Sequence, residues 1–367
     1  MEHSSRDPRP IAASRPLRRV WLALAPVAAV LVLYLLGPGR PGAAQLTDLG
    51  TLGGTFSRAR AINDHGQIVG EATTPEGDRQ SPFHQHAFLW ENGRMKDLGT
   101  LGGEWSIAND INNRGQVVGE AMTPEGHLHA FLWENGKMRD LHEMPEYPES
   151  VAYAIDDQGH VIGWAHGPRM TRDFAHGTPF VWKEGRMADL NRLLPVPAGC
   201  VLDQAWAVNA KGDMAGTMAR ADIDKRTASP QERMSHVWVW VDSRFIDIGD
   251  LGRPTGINGE GAVLLETLDK RVAIVWQDGK TRELRPLVRG EIGPVGINDR
   301  GDVVAWVDNG EQSCALLFSG GEVVELKGRS KGLLVPTDMN NQGQIVGSVM
   351  RLGHPARAFV LRAASVR

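Results

Sequence analysis

The chain has 367 residues, 40 Lys plus Arg against 44 Asp plus Glu, and a formal net charge of −4. If residues 1–44 are removed, 34 basic residues face 42 acidic ones, for −8, a surface that argues against nucleic acid as a partner. Cys200 and Cys314 are the only cysteines and stand far apart in the sequence, so the fold is not expected to rest on disulfides.

Residues 1–16 are polar and Pro-rich, and Arg18-Arg19 precede 17 uncharged, largely apolar residues from Val20 to Leu36. A basic start, an apolar middle and a small-residue site at Ala43-Ala44 fit a secretory signal. The same run is at the lower length limit for a spanning helix, so a retained membrane anchor is the other reading of residues 1–44. Either route places the following residues outside the cytosol, as a secreted or cell-envelope protein.

From residue 45 the chain is a repeat. An Asn or Asp with Gly three positions on recurs at Asn63, Asn112, Asp156, Asn209, Asn258, Asn298 and Asn340, spaced 49, 44, 53, 49, 40 and 42 residues apart. That spacing suits four short strands per unit. Ala59, Ala108, Ala152 and Ala205 stand four positions before the first four anchors; Pro254, Pro294 and Pro336 replace them in the last three.

Each anchor reads as a tight turn, with Asn capping through its side chain and Gly accepting positive φ. "QIVGEA" then forms a second strand, "HAFLW" a third and "RMKDLGT" a fourth. In "HAFLW" both faces are largely apolar, so the strand must be buried on both sides. Radially packed four-stranded sheets meet that demand, with small residues where sheets crowd the axis. The expected fold is all-β: a seven-bladed β-propeller over residues 45–362, with 363–367 as a tail. "QLTDLG" at 45–50 reads as a fourth strand without a blade of its own, and the last copy lacks one, which predicts closure by one plus three strands.

The phrases "DLGTLGGTFSRARAINDHGQIVGEA" and "HAFLWENGRMKDLGTLGG" resemble the bacterial extracellular HAF-repeat family, named for the His-Ala-Phe at 86–88 and 129–131. The resemblance is closest in the first two copies. It implies an exported repeat protein and brings no catalytic residues with it.

His86, His129 and His236 recur at one position but in different blades, where a hydrogen bond within the sheet is a better reading than a metal cluster. Trp90, Trp133, Trp182, Trp240 and Trp276 read as core. "DLGTLGG" has no following helix to make a phosphate loop, and one Asn-x-x-Gly turn offers too few oxygens for calcium. No cofactor, metal or catalytic residue is assigned.

Loop lengths vary between the second and third strands, mostly over blades one to four, and so on one face of the ring. Loops of differing length on a rigid scaffold are the usual place for binding, though long surface insertions also cost little stability. Phe83, His84, Arg169, Arg172, Asp173 and Phe174 are the binding residues this face would offer, mixing aromatic and charged groups as carbohydrate and peptide sites do. The expectation is a monomeric, non-catalytic binding or structural module for an extracellular carbohydrate or protein, touching membrane only through its N-terminal segment. The alternative is a propeller hydrolase or lyase acting on polysaccharide at the ring mouth.

Overall fold

The computed structural model describes residues 45–76, 84–167, 177–222, 235–310, 313–326 and 332–362. Their strands form seven antiparallel four-stranded sheets, arranged as a seven-bladed β-propeller. Blade one runs from its inner strand Ser57–Ile62 through Ile68–Thr73 and Gln85–Glu91 to the outer Arg94–Asp97, and the next five repeat that order. Their inner strands are Ser106–Ile111, Glu149–Ile155, Cys200–Val208, Arg253–Ile257 and Glu291–Ile297.

Blade seven closes the ring as expected. Gln45–Asp48 pairs with His354–Arg362, Gln45 opposite Arg362 and Asp48 opposite Phe359, followed inward by Gln344–Arg351 and Leu333–Met339. An antiparallel sheet with a missing outer strand would expose unpaired N–H and C=O groups; the N-terminal strand covers them.

Every inner strand carries a β-bulge at the same place, directly after the repeated Ala or Pro. This accounts for Pro254, Pro294 and Pro336 standing where the first four blades have Ala. The inner strand is the edge of its sheet, and proline, which has no N–H to donate, is accepted at an edge or a bulge. Across from Ala59 sits Gly70, where a Cβ would fall 2.0 Å from the Arg58 carbonyl oxygen, so no larger residue fits.

The core lies between blades. Ala61, Val69 and Leu89 of blade one pack with Ala108, Ile111, Phe131 and Trp133 of blade two, and Leu49, Ile62 and Phe88 pack with Val346, Ala358 and Val360 across the closure. Burying a side chain such as Phe88 or Phe131 contributes about 1.5–3 kcal/mol each. Trp90, Trp133, Trp182 and Trp276 are buried as predicted, while Trp240 is half-buried. Lys96 and Arg139, from the preceding blade in each case, lie over the Trp133 and Trp182 rings at 4.7 and 4.8 Å.

Cys200 and Cys314 are free thiols. Among the described residues no helix is long and apolar enough to cross a membrane, and the apolar run 20–36 lies outside them.

Candidate functional site on the loop face

The Asn-x-x-Gly turns emerge on one face of the ring; the second-to-third-strand loops and the connections between blades emerge on the other. On the turn face, Asn63 Oδ1 accepts from the N–H groups of His65 and Gln67, and Gly66 takes φ 75°. The Asn amide does something the sequence did not reveal. Nδ2 of Asn63 donates to the carbonyl of the next anchor, Asn112, at 2.9 Å; Asn112, Asn209, Asn258 and Asn340 do the same, the last across the closure to Asn63. Asp156 has no amide to donate, and at that joint Gln158 Nε2 reaches the Ala210 carbonyl instead.

These turns ring a narrow axial channel of about 180 Å³. Asp110 lines it; Asp110 and Asp338 both stand where other blades have Ala or Gly, and both are half-buried. Asp110 accepts from the N–H groups of Ile111 and, in the next blade, Ile155; Asp338 accepts likewise from Met339 and Ile62. Burial pushes Asp110 up to about 6 against those hydrogen bonds, with Asp157 adding repulsion. Asp338 is pushed up to about 8, by burial first and then by the charges of Asp110 and Asp64. The bulged residues link neighbouring inner strands: Arg60 reaches Asn109 at 3.2 Å and the buried Glu71 at 2.6 Å, and Tyr153 stacks on Trp206.

The recurring histidines pair within their own blades, as the hydrogen-bond reading expected. His86 meets Asp97 at 2.8 Å, His129 meets Asp140 at 2.7 Å and His236 meets Asp247 at 2.9 Å, each joining the third strand to the fourth. Thr178 with Asp189 in blade three and Arg357 with Asp48 in blade seven take the same places. Burial works to raise Asp97, but the His86 and Gly99 hydrogen bonds outweigh it and hold the carboxyl below its ordinary value; His129 and the N–H of His142 do the same for Asp140.

Of the predicted binding residues, His84 is described: its Nε2 lies 3.2 Å from Glu104 on the connection into blade two. Phe83, Arg169, Arg172, Asp173 and Phe174 lie outside the described residues.

A larger feature lies between blades five and six, where the loop face opens into a groove of about 1200 Å³. One wall is the blade-five loop carrying Asp269 and Arg271. The other is formed by the connection 285–290 and, from blade six, Trp306 and Asp308. The Trp306 indole lies against Gly293, where a Cβ would come within 2.1 Å of it. The acids of the groove have partners: Asp269 accepts from the Thr267 hydroxyl and the Arg271 N–H, Asp308 from the Gly310 N–H, and Glu291 lies 3.8 Å from Lys270. Arg285 pairs with Glu283, whereas the Arg271 and Arg289 guanidinium groups make no ion pair among the described residues. Sequence reading missed this groove because it belongs to no repeated phrase. The available signal was "RELRPLVRGE" at 282–291, where Arg and aliphatic residues gather around a proline.

No family model matches the sequence. No curated protein matches it. Solved structures similar to it are propellers. A puromycin-hydrolysing peptidase from Mycobacterium tuberculosis superposes with a TM-score of 0.54 at 12% identity, over 85% of this chain and 53% of the peptidase. The chain thus spans about half of that enzyme's length. YCF48, solved bound to D1 peptide, gives 0.52 at 10% identity over 92% of this chain and 98% of its own. A streptogramin B lyase gives 0.50 at 10% identity over 87% and 97%. At such identities the likeness is one of fold.

Proposed function

We propose that this propeller is an exported binding module that recognises a partner with its loop face. One observation carries the reading. The exposed large apolar side chains among the described residues, Leu193, Val201, Leu268, Leu287, Val288, Met350 and Leu352, all stand on loop-face connections or at loop-face strand ends. Scattered singly they would need no explanation; confined to one face of a ring whose other face consists of polar hairpins, they mark an interaction surface. The ring is built for display, since its loops hang on blades locked to their neighbours. YCF48, with a bound peptide, is one example of this fold used for binding.

The enzyme alternative draws on Asp110 and Asp338, whose raised pKa values are of a kind that marks functional acids. Their placement counts against it. Each carboxylate spends both oxygens on backbone N–H groups and belongs to the turn side, away from the variable loops.

Replacing Leu268, Leu287, Val288 and Leu352 with Ser is expected to abolish the enrichment of phage-displayed peptides on the immobilised protein, while Arg114→Ala on the turn face leaves it intact. Equal enrichment on both variants would count against the loop face. Export, implied by the leader-like segment and the HAF resemblance, is tested by alkaline phosphatase joined after Gly50: activity is expected, and an inactive fusion beside an active cytosolic reporter would refute it.

A further inference from the structure

We infer that the groove between blades five and six takes an extended polypeptide segment carrying both carboxylate and aliphatic side chains. The inference rests on the loop-face reading and names the subsite and the chemistry of its occupant.

Three observations support it. The first is size and shape: at about 1200 Å³ the groove exceeds the usual range of small-molecule pockets, roughly 300–1000 Å³, and it runs open between two loops. A chain lying along it fits better than a compact ligand.

The second is charge. Asp269 and Asp308 accept from Thr267 and from backbone N–H groups and Glu291 faces Lys270, while the Arg271 and Arg289 guanidinium groups make no ion pair among the described residues. A guanidinium fork binds a carboxylate through two parallel hydrogen bonds, and both side chains are exposed and free to turn toward one. The field of Asp269 reaches Arg271 through space, yet that carboxylate is held below its ordinary pKa first by the Arg271 N–H and then by Thr267.

The third observation favours polypeptide over acidic polysaccharide. The one indole of the groove, Trp306, is half-buried with Gly293 against it. The groove and its rim instead present the aliphatic side chains of Leu287, Val288 and Leu268. These match leucine- or valine-like side chains set between acidic ones.

The probe is a fluorescein-labelled peptide alternating Asp and Leu, with a Lys/Leu peptide, an Asp/Ser peptide and an oligogalacturonate as comparisons, each titrated against the full chain. The Asp/Leu peptide is expected to bind best, and more weakly as salt rises. Arg271→Glu combined with Arg289→Glu should weaken it by about tenfold or more while the melting temperature stays put, since both side chains are exposed. Unchanged affinity in that variant overturns the assignment, as does equal binding of the Lys/Leu peptide or preferential binding of the oligogalacturonate. If affinity is lost instead in Met350→Ser with Leu352→Ser on blade seven, the loop-face reading stands and the groove assignment falls. If none of the peptides binds, the groove assignment falls by itself, because phage-displayed peptides lost in Met350→Ser with Leu352→Ser, outside the groove, would still support the loop face.

Discussion

Asn112 shows how much one repeated residue is made to do. Its side-chain Oδ1 caps its own turn by accepting from the N–H groups of Arg114 and Gln116, and its Nδ2 donates to Gln116 Oε1 and to the backbone carbonyl of Asp156 in the next blade. The side chain is buried, so water cannot replace any of the four bonds. Asn112→Ala is therefore expected to cost about 2–4 kcal/mol, since each buried group left unpaired costs roughly 1–3 kcal/mol and some will relax. Asn112→Asp keeps the two caps but sets a buried carboxylate oxygen against two acceptors, Gln116 Oε1 and the Asp156 carbonyl, so it should cost at least as much as the alanine change; in blade three Asp156 is accommodated because His160 Nδ1 faces it at 2.7 Å. Urea denaturation midpoints of the two variants check this; a clearly smaller loss in Asn112→Asp would mean that the two caps outweigh the amide bonds.

At the scale of the elements, the strand pattern was legible because each strand is specified locally. Alternation in "HAFLW", the Asn-x-x-Gly turn and the stray "QLTDLG" strand all speak through neighbouring residues, and each is found in the structure. What joins one element to another was less legible. The hydroxyls of Ser57, Ser106 and Ser150 each accept the N–H of the alanine in the preceding blade's third strand, Ala358, Ala87 and Ala130. Nothing in a single copy of the repeat signals that bond, because its two partners lie 301, 19 and 20 residues apart. The pairing of His86 with Asp97 spans 11 residues and stays inside one blade, which is why a hydrogen-bonding role could be inferred from the recurrence alone. The groove between blades five and six is harder still. Two connections shape it, and neither stands out by length or by a repeated phrase. The loops that sequence reading favoured, around Phe83 and Arg172, differ in length, whereas the groove arises where shorter loops leave space beside Trp306.

The ring as a whole makes the axial carboxyls consequential, because closure brings Asp338 of blade seven against the Ile62 N–H of blade one, 276 residues away. Burial raises both Asp110 and Asp338, to about 6 and about 8, so the folded state holds protons that the unfolded chain releases near pH 4. The unfolded state then binds fewer protons than the folded one between about pH 4 and 8, and stability falls with rising pH across that window. The contribution is fully present below pH 4 and is gone once Asp338 has ionised. Asp97 and Asp140 act with the opposite sign: their folded pKa values are lowered, so the stability they confer is present above about pH 4 and lost on further acidification. The two windows barely overlap, and the ring should be most stable in weakly acidic solution. In the variant carrying Asp110→Asn and Asp338→Asn, each amide oxygen can still accept a backbone N–H while the charge is gone. Its urea midpoint should therefore change less between pH 5 and about pH 8.5 than that of the wild type, and should exceed it at the alkaline end. All other groups are shared by both proteins, so the difference between the two curves isolates the carboxyls. Parallel curves would show that neither carboxyl changes its protonation across the range and would overturn this assignment.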